Sequence, residues 1–551
     1  MRTQKFLKIV FSVLVILLAF SCNQKKYSRI QVSVPISTKK ESLENEDLKN
    51  WEYKDIETDT LPGISLEKAY ATILKNKQPE KVIVAVLDSE VDINSDYFNG
   101  YIWTNSNEIA GNAIDDDGNG YIDDVNGWNF LGNTKGDNIT NANYEYVRIV
   151  RKYNNQFRNK KESEINQELL PTFLKYKRAK TKLESEYTKI TRRVKFGEKI
   201  LQDFLAAKEA LKEYFPDGKY TYEKLKEIDT IGNGLSKYVL EIKSVLDYND
   251  SEENMRKVLS DYGNDIKYRL NIKYHARGIL QDSLGDISNK SYGNEMLFKK
   301  ANNYTHGTRM TSVILDMVNN QANEIEIMPV VVEPHGDAHD KDIALGIRYA
   351  VDNGAKVINI SFGKEFSMYP EMVYEAVKYA EKKDVLIISS SGNDGKELND
   401  NFYKYPNDQI IDNQVEISDN FLKVGASTYN VNEKIKAYFS NYSSLHVDIF
   451  APGYKVYSLF PDGERKIDSG TSISAALTSK VAALIYAYYP SLTASQVKHI
   501  LMDSGLEYTF EVSTPTKGDE NKTTPFNKLS KSGKVLNAYN ALIMADSISR
   551  N

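Results

Sequence analysis

The sequence predicts an α/β layered domain on a mostly parallel sheet, interrupted by a long α-helical insertion. Continuous apolar, β-branched runs stand at 81–87 (Lys-Val-Ile-Val-Ala-Val-Leu), 357–361 and 385–389, and uninterrupted runs of this kind suit strands covered on both faces. Helical segments lie between them, at 342–353 ahead of Gly354 and at 369–383; alternation of strand and helix gives a layered sheet. From 144 to 300 the pattern changes, with Lys, Glu, Tyr and Leu prominent. There Phe196, Ile200, Leu201, Phe204, Leu205, Leu211 and Phe215 recur mostly at three- and four-residue steps until Pro216-Asp217-Gly218 ends the run. This stretch reads as a helical hairpin or small bundle, its charges lying on two solvated faces.

Size and composition limit the classes. The chain has 551 residues, 41% hydrophobic and 27% charged, the balance of an ordinary globular protein. That excludes a disordered tail, a collagen-like fibre and a polytopic membrane protein. A net charge of -5 from 71 basic and 76 acidic residues gives no electrostatic case for nucleic acid as the main partner. One cysteine permits neither a disulfide within the chain nor a cysteine-based metal cluster.

That cysteine is informative by position. Residues 1–22 divide into a basic head (Arg2, Lys5, Lys8), an apolar run over 9–20, and the boundary Ala19-Phe20-Ser21-Cys22. The run is shorter than the roughly 20 residues a bilayer span needs, and the layout is that of a secretory signal. Cys22 at the cleavage position resembles the lipobox of bacterial lipoproteins. The resemblance implies a diacylated Cys22, export to the bacterial cell envelope and a lipid anchor to a membrane, with the body facing the periplasm or the outside. Ala19 in place of the usual Leu and the bulky Phe20 depart from that pattern; a plain signal peptide or an uncleaved anchor are the other readings. Residues 23–60 are polar and charged and read as a tether. At the other end, 533–539 opens an amphipathic helix running nearly to Asn551.

Chemistry concentrates at four places. Asp88 ends the first apolar run, where a carboxylate faces the crevice beyond a parallel sheet or caps a helix. His306, in Thr305-His306-Gly307-Thr308, precedes a helix-like run over 309–318, and Gly307 permits close approach to another segment; histidine is the usual general base near neutral pH. Asn393, in Ser391-Gly392-Asn393, is a turn residue or an amide donor. Ser472, in Ser469-Gly470-Thr471-Ser472, opens a buried helix with its apolar stretch at 481–488. It is an N-cap or a nucleophile whose oxyanion gains from helix amides.

Together, in the order Asp, His, Asn, Ser, these stretches resemble the subtilisin-like serine proteases; the order Asp…His…Ser sets that group apart from other triad enzymes. The matching segments are Val-Ala-Val-Leu-Asp-Ser (84–89), His-Gly-Thr (306–308), Asn-Ile-Ser-Phe-Gly (359–363), Ser-Gly-Asn (391–393), Val-Asp-Ile-Phe-Ala-Pro-Gly (447–453) and Ser-Gly-Thr-Ser (469–472). The resemblance implies a subtilisin-like three-layer fold, its catalytic domain split into 61–143 and 301–551 around the insertion at 144–300. It implies a serine endopeptidase in which Ser472 attacks, His306 is the base and Asp88 orients it. Asn393 and the Ser472 amide would form the oxyanion hole. The backbone of Ser361, Phe362 and Gly363 would line the specificity pocket and pair with an extended protein or peptide substrate.

Several positions depart from the family pattern. Glu90 stands where a Gly usually follows Asp-Ser; turned toward His306, it would raise the imidazole pKa and shift the pH optimum upward. Arg309 replaces a frequent His, Ile473 and Ser474 replace Met-Ala, Ala476 replaces Pro, and Lys480 replaces a small residue. No catalytic atom is lost. The spacing from Asp88 to His306 is 218 positions (306 − 88), against roughly 30 in subtilisin. Loop closure costs only logarithmically with length, so a long insertion is tolerated. It leaves and re-enters between two catalytic elements and is expected beside the cleft, where it restricts or recruits substrates or contacts a protein partner.

Asp115, Asp117, Asn119 and Asp123 alternate around a Gly turn and resemble calcium loops of the Asp-x-Asp-x-Asn-Gly type. Asn126 takes the twelfth position, where an EF-hand has Glu. A structural Ca²⁺ is expected, since nearby carboxylates repel one another without a cation; the other reading is a solvated acidic turn. The leading function is thus a secreted, lipid-anchored serine endopeptidase. A catalytically weak subtilisin-fold module that binds peptides or serves as a scaffold is the second reading. A serine esterase of the α/β-hydrolase type conflicts with the residue order and lacks Gly-x-Ser-x-Gly around Ser472.

Overall fold

The computed structural model describes residues 43, 47–290, 292–299, 305–315, 324–400, 402–410, 415–460, 463–516 and 518–550; Cys22 and its signal-like segment lie outside them. Nine strands form the central sheet: β1 (Val82–Asp88), β2 (Trp128–Asn129), β3 (Ile325–Val331), β4 (Val357–Ile360), β5 (Leu386–Ser390), β6 (Phe421–Ser427), β7 (Ile449–Pro452), β8 (Leu506–Glu507) and β9 (Lys534–Val535). Their spatial order is β8-β9-β7-β6-β5-β4-β1-β3-β2, and each pairing is parallel except that of β8 with β9. The three apolar runs form β1, β4 and β5, within a residue of their expected bounds.

The period-2 alternation of a strand sorts these runs into two layers. Val82, Val84 and Val86 join a core with helices His306–Leu315 and Thr471–Tyr488. Ala85 and Leu87 point the other way, into a core with helices Asp340–Asp352 and Pro370–Lys382. Both strand faces are therefore buried, and the sheet is the middle of three layers. Helix Thr471–Tyr488 begins ten residues before its expected apolar stretch, because its hydroxyls find partners inside the core. Ser474 Oγ donates to the Ala451 carbonyl at 2.9 Å, and Ser479 Oγ donates to Asn359 Oδ1 at 3.0 Å. A satisfied hydroxyl can be buried where an unsatisfied one is costly.

Two expectations at the ends are corrected. Residues 47–60, assigned by polarity to the tether, belong to the core: Leu48, Trp51, Tyr53 and Ile56 are buried. Trp51 Nε1 donates to the Lys455 carbonyl at 3.1 Å and its ring meets Tyr429 edge-on. A few large apolar side chains anchor this segment although its average composition is hydrophilic. Near the other end, 534–535 is strand β9, and the helix is Ala538–Ser549, with Asn537 as its N-cap accepting from Asn540 N–H.

The helical stretch forms helices Glu145–Phe157, Leu170–Ala210, Tyr222–Glu227, Ser236–Asp247 and Glu252–Asn264. They build two clusters, one around Phe157, Phe173 and Tyr176 that also takes in Phe366, and one around Phe204, Leu211 and Phe215. Phe196, one of the residues recurring at helical spacing, is exposed. The second boundary also moves. Leu280, Tyr292 and Leu297 lie in the core under β1 and β3, and Tyr292 Oη donates to Asp342 at 2.6 Å. Residues 280–290 and 292–297 are thus tied to the sheet through Leu280, Tyr292 and Leu297, although their composition matches that of the helices before them.

Candidate active site at the carboxyl ends of the central strands

The chain runs from β1 to β2 and β3 on one side and from β3 across to β4 on the other, so the strand order reverses at β1 and a crevice opens beyond its carboxyl end. Asp88, the last residue of β1, is fully buried. Its Oδ1 accepts the Ser89 N–H at 2.7 Å, and Oδ1 and Oδ2 lie 2.8 and 3.0 Å from His306 Nδ1. Facing a carboxylate that only accepts, Nδ1 carries the proton and Nε2 is left as an acceptor. His306 reaches this position because Gly307 follows it: a Cβ there would stand 2.3 Å from the Ser89 carbonyl oxygen. The Gly307 N–H donates instead to Ser89 Oγ at 2.9 Å.

Ser472 is the second residue of its helix and nearly buried. Its Oγ donates to the Ser361 carbonyl at 2.7 Å, and Ser361 Oγ donates back to the Ser472 carbonyl at 3.0 Å. Among the described residues, the ring nitrogens of His306 bond only Asp88, so nucleophile and base share the cleft without a direct hydrogen bond. Asn393 follows β5. Its Oδ1 accepts from both the N–H and the hydroxyl of Thr471, each at 2.9 Å. These two donors fix which end of the amide is oxygen and leave Nδ2 as a donor on the side of Gly470. His306, Ser361, Phe362, Gly363, Asn393 and Ser472 all line one cleft of about 310 Å³.

Three further cleft residues carry no pattern in the sequence: Glu333, Asp394 and Lys404. Glu333 lies just past β3, and its carboxylate comes within 4.8 Å of the facing atoms of Asp88 and His306. It is the second acid beside the imidazole, the place expected for Glu90. The Glu90 carboxylate instead accepts the Lys299 N–H at 2.8 Å. Asp394 pairs with Lys404 at 2.9 Å; burial pushes its carboxyl pKa up, but Lys404, Asn441 and Lys396 outweigh that and hold it below its ordinary value. The other departures point away from the cleft chemistry. Arg309 pairs with Asp468 and covers the Phe460 ring, and Lys480 lies buried over the Tyr53 ring.

The acidic loop is rearranged relative to expectation. Glu108, Asp115 and Asp117 bring ligand oxygens within 4.8 Å of one another. Asp123 turns back to accept the N–H groups of Gly111, Asn112 and Ala113, and Asn119 Oδ1 accepts the Tyr121 N–H. Glu108 precedes the Gly-bent motif by several positions, so the motif's spacing does not include it. Nearby Asp124, accepting from Tyr349 Oη, has its pKa raised by burial to about 6.

A family model described as "Subtilase family" matches residues 80–528. The chain belongs to the subtilase family. It is 35% identical over 213 residues to "Cell wall-associated protease" of Bacillus subtilis (strain 168), covering 37% of this chain and 22% of that one. It is 29% identical over 202 residues to "Subtilisin DY" of Bacillus licheniformis, covering 36% and 68%. It is 30% identical over 187 residues to "Thermitase" of Thermoactinomyces vulgaris, covering 33% and 60%. The subtilase thus spans less than a quarter of the first relative. Its sheet, with helices on both faces, is the subtilisin-like α/β fold.

Proposed function

We propose that this subtilase is a serine endopeptidase that hydrolyses peptide bonds through Asp88, His306 and Ser472 and an acyl-enzyme intermediate. The observation that carries the reading is the Asp88–His306 Nδ1 contact in one cleft with Ser472 and an amide-fixed Asn393. Ser472 Oγ–H exchanges its bond to Ser361 for one to His306 Nε2, a rearrangement of the kind that substrate binding brings about. Oγ attacks the scissile carbonyl while Nε2 takes the proton and later returns it to the leaving amine. Asp88 holds the imidazole and stabilises the imidazolium. Asn393 Nδ2 and the Ser472 N–H receive the oxyanion. Water then attacks the acyl-enzyme with His306 again as base. Asn393→Leu is expected to lower kcat by about 10²–10³-fold with little change in KM, measured on an internally quenched peptide.

The Ser472–Ser361 hydrogen bond is the one observation favouring a weak or inactive peptide-binding module. Retention of a peptide by the wild-type chain without cleavage selects that reading; hydrolysis of simple esters with no peptide cleavage selects an esterase. Helix Leu170–Ala210 places Arg178 and Lys182 against Glu365, and Arg178 over the Phe366 and Tyr403 rings. The helical stretch therefore flanks the segment that follows the Ser361–Gly363 wall, and we assign it a part in admitting substrates or a protein partner.

Two further parts of the reading concern anchoring and calcium. We infer that Cys22 carries the lipid; Cys22→Ala is expected to move the protein from the membrane fraction to the soluble one, and an unchanged distribution contradicts the anchor. We also infer that Glu108, Asp115 and Asp117 hold a structural Ca²⁺. At a hundredfold excess over Kd the ion adds about 2.7 kcal/mol of stability. The melting temperature should therefore rise with calcium and fall with chelator, and Asp115→Asn should abolish the difference. No difference in the wild type contradicts the site.

A further inference from the structure

Lys404 lies inside the cleft, between the two backbone walls beside the nucleophile. A Cβ built on Gly363 would stand 3.6 Å from Lys404 Cβ, and one built on Gly392 would stand 3.1 Å from Lys404 Cε. The stem therefore bridges from the Ser361–Gly363 wall to the Gly392–Asn393 wall. On the proposed chemistry, the scissile carbonyl sits between Ser472 and Asn393. The side chain of the residue that donates this carbonyl then enters between these same two walls. The lysine forms the floor it meets.

Asp394 pairs with the ammonium at that floor and the Phe402 ring lies 5.4 Å from it, yet together they do not use all of its donors. Asp394 Oδ2 receives both the Lys404 ammonium at 2.9 Å and Asn441 Nδ2 at 3.0 Å. The Asn441 amide is itself held in place, its Oδ1 accepting the N–H groups of Asp394 and Lys396. Asp394 is thus committed, with a second lysine, Lys396, close enough to act on it electrostatically. An ammonium has three donors, and among the described residues Asp394 is the hydrogen-bonding partner of this one. The side chain of Lys404 is 14% exposed and that of Asp394 33%, so the cation is the deeper of the two. Glu333, the other acid of the cleft, lies at the His306 side.

We propose that Lys404 is a specificity-determining residue that selects an acidic side chain, glutamate or aspartate, at the position donating the scissile carbonyl. A substrate carboxylate entering there takes up a spare ammonium donor as a charge-assisted bond. A lysine or arginine would meet Lys404 end-on, with its natural counter-ion Asp394 already engaged, and a large apolar side chain would cut the remaining ammonium donors off from water without giving them a partner. The inference deepens the protease reading and rests on it for the placement of the scissile bond.

The test uses the full chain with the nucleophile removed, so binding is read apart from turnover. Three fluorescent peptides differing only at the proposed position, with glutamate, phenylalanine or lysine, are titrated into Ser472→Ala. The glutamate peptide should bind about tenfold or more tightly than the lysine peptide, the scale of one hydrogen bond to a charged group. Lys404→Met in the same background keeps the stem and should erase that preference, and Lys404→Glu should reverse it. Equal affinities, no binding by any peptide, or a glutamate preference that survives Lys404→Met would overturn the proposal. If Lys404→Met fails to fold, Ser472→Ala alone decides between preference and equality. Failure of the protease reading shows separately, as an unreactive Ser472 in the wild type.

Discussion

Replacing Ser472 with alanine is expected to lower kcat for peptide hydrolysis by about 10⁶-fold, the order measured when subtilisin itself loses its nucleophile. The loss is that of the covalent pathway, since among the described residues the neighbouring hydroxyls are engaged elsewhere, that of Ser361 with the residue 472 carbonyl. Thr471 has its hydroxyl committed to Asn393 Oδ1, and Ser474 has its hydroxyl committed to the Ala451 carbonyl. The fold should survive, because the deleted atom makes one hydrogen bond, to the Ser361 carbonyl, worth about 1 kcal/mol net. Thermal unfolding of the variant should therefore stay close to that of the wild type while cleavage of a quenched peptide disappears. Activity within tenfold of the wild type would assign the chemistry elsewhere.

Asp88→Asn is expected to cost about 10⁴-fold in kcat, the scale seen when a triad aspartate becomes an amide. The side chain keeps its shape in a fully buried site, and Oδ1 still has the Ser89 N–H to accept. With that oxygen engaged, the amide nitrogen faces His306 Nδ1. A donor there favours the tautomer with its proton on Nε2, the nitrogen that must accept from Ser472. Kinetics on the same peptide check the prediction, with the melting temperature as control. A deficit below tenfold in a folded protein would remove Asp88 from the machinery.

The layered sheet and the candidate residues His306, Asn393 and Ser472 that share one cleft, with Asp88 bonded to His306, were legible because each depends on local pattern. Continuous apolar runs mark β1, β4 and β5, and Gly307 beside His306 marks a close approach that a Cβ would block. The residues that give the cleft its charge were not legible. Glu333, Asp394 and Lys404 come from separate chain segments, and only the tertiary fold brings them to one floor and rim. The same reason explains Glu108, which joins Asp115 and Asp117 from outside the Gly-bent motif. Trp51 and Tyr53 show the converse: two large side chains fix a segment to the core against a hydrophilic average. Around Tyr292 composition resembles the helices before it, yet Tyr292 bonded to Asp342 is tied under the sheet.

The central claim is that Ser472 is an activated nucleophile, although its hydroxyl is bonded to Ser361 in the free protein. Labelling of the full chain by a fluorophosphonate probe, compared with Ser472→Ala, reads this directly, since the probe phosphonylates only an activated serine. Labelling of the wild type with none of the variant is the predicted result. No labelling of a folded wild-type protein would contradict it and leave the peptide-binding module as the reading of the cleft.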